Sequence, residues 1–125
     1  MTCFEAEKQL VLFLAGVLDL VPDREIFSNA LPDGVPEGIW AKFERGRPAD
    51  LAGPNSFTAR VRGRFRSRAA CALKADSIVS ALPVFGVNGL LSIRTGEGEQ
   101  VTFPPPEEDG PSAFDFSILL SVDFV

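Results

Sequence analysis

Arginine recurs at every second position in Phe57-Thr58-Ala59-Arg60-Val61-Arg62-Gly63-Arg64-Phe65-Arg66-Ser67-Arg68. A guanidinium group stays charged at all physiological pH and grips carboxylates or phosphates through a planar fork of donors. Alternate residues of a strand share a face, so this spacing predicts Phe57, Ala59, Val61, Gly63 and Phe65 pointing inward. Thr58, Arg60, Arg62, Arg64 and Arg66 then form an outward cationic stripe, with Arg68 next in the series. Like charges on one strand face repel. The stripe therefore calls for counter-charge from this chain, from another subunit or from a nucleic acid.

The chain itself carries candidates. Its net charge is −5, and no Lys or Arg follows Arg94, whereas Glu97, Glu99, Glu107, Glu108, Asp109, Asp115 and Asp123 all do. A basic middle and an acidic C-terminal third can neutralise each other within a subunit or between neighbours. Asp115 and Asp123 are expected to face the stripe from the polar side of the last strand. A plainer reading, a solvated surface of uneven charge, stays open.

Other chemistry is poorly provided for. Histidine and tyrosine are absent, which removes the usual general base, Ser-His and Cys-His nucleophile pairs and the commonest metal ligand. No carboxylate or serine spacing suggests a site. Thr95-Gly96-Glu97-Gly98-Glu99 is glycine-rich, but its acids would repel a phosphate. No catalytic residue, metal or cofactor is expected. Cys3 and Cys71 are read as free thiols of a cytosolic protein, the start lacks the basic region of a signal peptide, and no membrane partner is expected. The apolar run at 10–18 is well short of the ~20 residues that span a bilayer.

The elements that must position the arginines follow from local signals, in one domain over residues 1–125. Thr2-x-x-Glu5 caps a helix predicted over 3–20, stopped by Pro22. Its stretch 10–18 is apolar nearly all round, which predicts burial on two sides, one of them against another subunit or partner. Leu10, Phe13 and Leu14 are the candidate contacts. Residues 21–38 are rich in Pro, Gly and Asp, and 31–38 read as successive turns. A short strand at 39–44 places Ile39, Ala41 and Phe43 on one face, with Trp40 a candidate interface anchor or a half-buried strand residue. A loop covers 46–55 and the arginine strand runs over about 56–66. Ser67 caps an alanine-rich helix over 69–82, stopped by Pro83. Strands are predicted at 89–95, 99–103 and 113–124, with a proline-rich acidic loop at 104–111. In the last strand Phe114, Phe116, Ile118, Leu120, Val122 and Phe124 share one face. The sum is an α+β fold: a mainly antiparallel β-sheet with an N-terminal helix and a second helix packed on one face.

This order resembles the small tail-terminator and minor-capsid (tail completion) proteins of long-tailed bacteriophages and phage-like particles. The resemblance rests on the strand Ile39-Trp40-Ala41-Lys42-Phe43-Glu44 before Gly46-Arg47-Pro48, on the alternating strand and alanine-rich helix between Phe57 and Leu82, and on the closing strands at 93–96 and 114–124. It implies a structural virion protein, not an enzyme. Such a protein forms a hexameric ring that caps the tail tube and joins it to the head or neck. Its partners would be its own copies, the tail tube protein, a head–tail connector or neck protein, and DNA passing the ring lumen. Its place would be the virion, after assembly in the host cytoplasm. An alternative from the residues alone is a nucleic-acid-binding module, in which Arg60, Arg62, Arg64, Arg66 and Arg68 follow a phosphate backbone.

Overall fold

A computed structural model describes residues 1–51, 53–96, 101–104 and 113–125. Helix α1 (Cys3–Leu18) starts where the Thr2 hydroxyl accepts the Glu5 N–H at 3.1 Å. It ends at Asp19, which turns into the left-handed region at φ 54° and donates its N–H to the Ala15 carbonyl. The stop therefore falls earlier than Pro22 would place it. Residues Ala6, Leu10, Leu14 and Leu18, with Val11 and Ala15, form its buried side, the spacing of one helical face.

The strands follow as β1 (Ile26–Ser28), β2 (Gly38–Arg47) and β3 (Asn55–Phe65). Helix α2 (Arg68–Ser80) is capped by the Ser67 hydroxyl, which accepts the Ala70 N–H at 3.2 Å. Then come β4 (Val84–Val87), β5 (Leu90–Thr95), β6 (Val101–Thr102) and β7 (Phe114–Phe124). They build a seven-stranded sheet in the order β1-β2-β3-β7-β5-β4, with β6 also on β7. Among the described strands, β1–β2 is the one parallel pair. Both helices lie on one sheet face, α1 over β1, β2 and β5, α2 over β3 and β7, touching each other. The α+β architecture expected from the sequence is therefore the one observed.

The core forms where the helices meet the inward residues of the central strands. Ile39 and Ala41 of β2, Ala59, Val61 and Phe65 of β3, and Phe116, Ile118, Leu120, Val122 and Phe124 of β7 are buried there. Phe43, Phe57 and Phe124 stack at one end with ring centroids 5.6–6.1 Å apart, and Phe65 stacks on Phe116 at 6.4 Å at the other. Two glycines admit these rings. A Cβ on Gly63 would lie 2.1 Å from the Phe116 ring, and one on Gly46 would lie 2.2 Å from that of Phe57. The glycine between Arg62 and Arg64, on the inward face, is thus a packing requirement. Glu7 of α1 ties helix to sheet by accepting the Ser28 hydroxyl and, at 3.0 Å, the Phe43 N–H.

Several boundaries differ from the expected ones. Strands β1 and β4 are not among the expected ones; each is short and stays extended by pairing with a longer neighbour, a nonlocal cause. Strand β2 runs on to Arg47 through a bulge between Phe43 and Arg45, because β3 offers a full-length partner. Helix α2 begins and ends slightly earlier than predicted. Of the strand expected at 99–103, Val101 and Thr102 are paired; positions 99 and 100 lie outside the described residues, as does the acidic loop beyond Pro104.

Candidate interface on the open sheet face

The strand alternation that buries Ala59, Val61 and Gly63 turns Arg60, Arg62 and Arg64 to the face opposite the helices. Register fixes their neighbours. Across β2, Lys42 stands opposite Arg60 and Trp40 opposite Arg62. Across β7, Leu119, Ser117 and Asp115 stand opposite Arg60, Arg62 and Arg64.

Two of the three arginines on β3 are neutralised within the chain. Arg64 forms a fork on Asp115, with Nε to Oδ1 at 2.9 Å and Nη2 to Oδ2 at 3.0 Å. Arg60 donates through Nε to Glu44 at 2.6 Å and through Nη1 to the Ser117 hydroxyl at 2.8 Å. The Arg60 hydrogen bond, aided by the charges of Arg60, Arg62 and Arg45 and opposed by partial burial, lowers the Glu44 pKa below its ordinary 4.5. These pairs are partly exposed, so each contributes about 0–1 kcal/mol and acts more on register than on stability. Arg62 is exposed and forms no ion pair among the described residues.

Trp40, Arg60, Arg62 and Arg64 line a half-open groove of about 330 Å³ together with Thr102, Pro104, Asp115, Phe116 and Ser117. The structure thus gathers five of the residues singled out in the sequence: Trp40, Arg60, Arg62, Arg64 and Asp115. Asp123 lies on the same face but serves a different cation. It accepts from Arg94 at 3.0 Å and from the Ser92 hydroxyl at 2.9 Å.

Other expectations need correction. The stripe is shorter than the sequence spacing implies. Strand β3 ends at Phe65, so Arg66 falls in the turn, where its N–H is held by Glu37 at 2.7 Å, and Arg68 opens α2. The Ser67 cap breaks the two-residue period there. Leu10 and Leu14 are fully buried by the chain's own core and cannot meet a partner. Phe13 is half-buried and packs against that core. On the far side of α1, Leu12 and Val17 stay 38% and 37% exposed. The apolar run is therefore buried by its own core on one side and partly exposed on the other.

Sequence reasoning passed over Glu44, Ser117 and Glu7. Glu44 and Ser117 sit at outward alternation positions beside the arginines, so their parity carried the signal. Glu7 reaches strands far away in sequence, and nothing local marks it. Cys3 and Cys71 are both unpaired, the first exposed and the second buried; burial, reinforced by the nearby Asp115 charge, raises the Cys71 pKa.

Among the described residues no cluster of His, Cys, Asp or Glu side chains is placed to hold a metal ion. No described helix is long and apolar enough to cross a membrane. Compared with known proteins, the chain matches no family model and no curated sequence.

Proposed function

We propose that this chain is a structural ring subunit of a phage-like particle, a tail terminator that caps the tail tube and meets the head–tail connector or neck. The observation that carries the reading is a sheet covered by helices on one face only. The opposite face presents Trp40 and an arginine row ion-paired at Arg60 and Arg64, and the outer side of α1 presents Leu12 and Val17. Two different uncovered surfaces are what a head-to-tail ring needs, since each subunit offers one to each neighbour. Closure of such a ring, hexameric in the family the sequence resembles, consumes the tube's growing edge and ends polymerisation. The particle would be its location, after assembly in the host cytoplasm.

The test is electron microscopy of the protein mixed with a cognate tail tube protein. Rings at tube ends, lost in the Leu12→Asp/Val17→Asp variant while it still unfolds in one cooperative transition, are the expected result. Tubes that stay uncapped and grow without limit at saturating protein would refute it. A second reading, a nucleic-acid module, draws on Arg62, which has no ion pair among the described residues, at the groove. Inside a ring both readings meet if that face lines the lumen. Salt-dependent filter binding of DNA separates them.

A further inference from the structure

We propose that the groove over β2, β3 and β7 docks an extended segment of a partner protein that carries a carboxylate two residues from an apolar side chain. The carboxylate meets Arg62 and the apolar group lies on Trp40. The two side chains are direct cross-strand neighbours, so their Cβ atoms stand roughly 4.5–5.5 Å apart. Side chains at i and i+2 of an extended segment project from one face at about 6–7 Å spacing, close enough to reach both. The groove volume of about 330 Å³ suits two side chains and not a folded domain.

Charge decides the class of occupant. Arg62 is exposed and forms no ion pair among the described residues, while Arg60 and Arg64 on either side already hold Glu44 and Asp115. One open fork takes one carboxylate, and Arg–carboxylate bonds are among the stronger hydrogen bonds available. A phosphate backbone instead needs several uncompensated cations in line. Here it would meet two carboxylates beside Arg62, the arginine of the groove with no ion pair among the described residues, on a chain of net charge −5. Thr102 and Pro104 also line the groove, which favours a narrow extended chain. The proposal concerns the isolated subunit and does not depend on ring formation.

Trp40 is the sole tryptophan, so its emission reports the groove directly. The probe is a blocked pentapeptide, Ser-Phe-Ser-Glu-Ser, titrated into the full chain, with the same peptide carrying Gln for Glu as control. A saturable emission change is expected at concentrations on the order of millimolar or below. Binding should weaken about tenfold with the Gln peptide and in Arg62→Gln protein. Because Arg62 is exposed, that variant should keep the wild-type melting curve, and the Gln peptide tests the carboxylate on unaltered protein. Equal binding of both peptides, or no saturation, overturns the proposal. Tighter binding of a single-stranded oligonucleotide assigns the groove to nucleic acid and also overturns it. So does an Arg62→Gln change that shifts the oligomeric state and leaves peptide affinity unchanged, which assigns the face to a second copy.

Discussion

Gly63 and Glu44 show how single positions set the arginine face. Gly63 sits between Arg62 and Arg64 because the Phe116 ring occupies the space of a side chain. Gly63→Ala should cost about 1–3 kcal/mol, as overpacking does, measured by urea unfolding. A neutral result would mean that the ring shifts freely. Glu44 has a lowered pKa in the folded chain, chiefly through its hydrogen bond from Arg60. Its contribution is complete above its unfolded pKa and fades as pH falls below about 4.5 and through the lowered folded value. Glu44→Gln should therefore be slightly less stable than wild type near neutrality, and the two melting temperatures should converge as the solution is acidified. A gap that widens in acid would contradict the assignment.

Helix α1 is buried along one side and partly exposed along the other. Leu14 is fully buried, so Leu14→Ala should lose about 2–5 kcal/mol through lost transfer energy and a residual cavity. Leu12 lies on the partly exposed side, and Leu12→Asp should cost less, about 1 kcal/mol. Thermal melts of both variants check the pair, and a large loss for Leu12→Asp would place that side chain in the core. Helix α2 shows why hydrophobic pattern was weak there. Cys71, Ala75 and Ile78 are its only fully covered positions, and small residues let it approach β3 and β7 closely. The Ser67 cap, not an apolar stripe, marks where it begins.

The sheet carries helices on one face, and its open face carries the arginine row, in which Arg62 forms no ion pair among the described residues. Reversing Arg62 and Arg64 together to Glu removes the Asp115 pair and inverts the groove. If the face makes protein contacts, the variant should remain folded, lose assembly at low salt and show unchanged DNA affinity. Intact rings with abolished, salt-sensitive DNA binding would instead assign the face to a lumen. Sedimentation and filter binding on one preparation distinguish these outcomes.

Alternation and capping are local, and they were legible in the residues. The inward set of β7, the outward arginines of β3, and the Thr2 and Ser67 caps all follow from side-chain direction and backbone satisfaction within a few residues. Pairing is nonlocal, and only the folded chain decided it. Ile26–Ser28 and Val84–Val87 are strands because longer strands offer them hydrogen bonds, and β2 outruns its expected end for the same reason. Register then chose the partners. Asp115 lies opposite Arg64, as expected of the last strand's polar face, whereas Asp123 falls nearer Arg94, and Arg60 takes Glu44 from the bulge. The apolar run of α1 told how much surface must be buried but not which side, because its pattern is nearly uniform. The sheet resolved that by covering Leu10 and Leu14 and leaving Leu12 and Val17 to the surface.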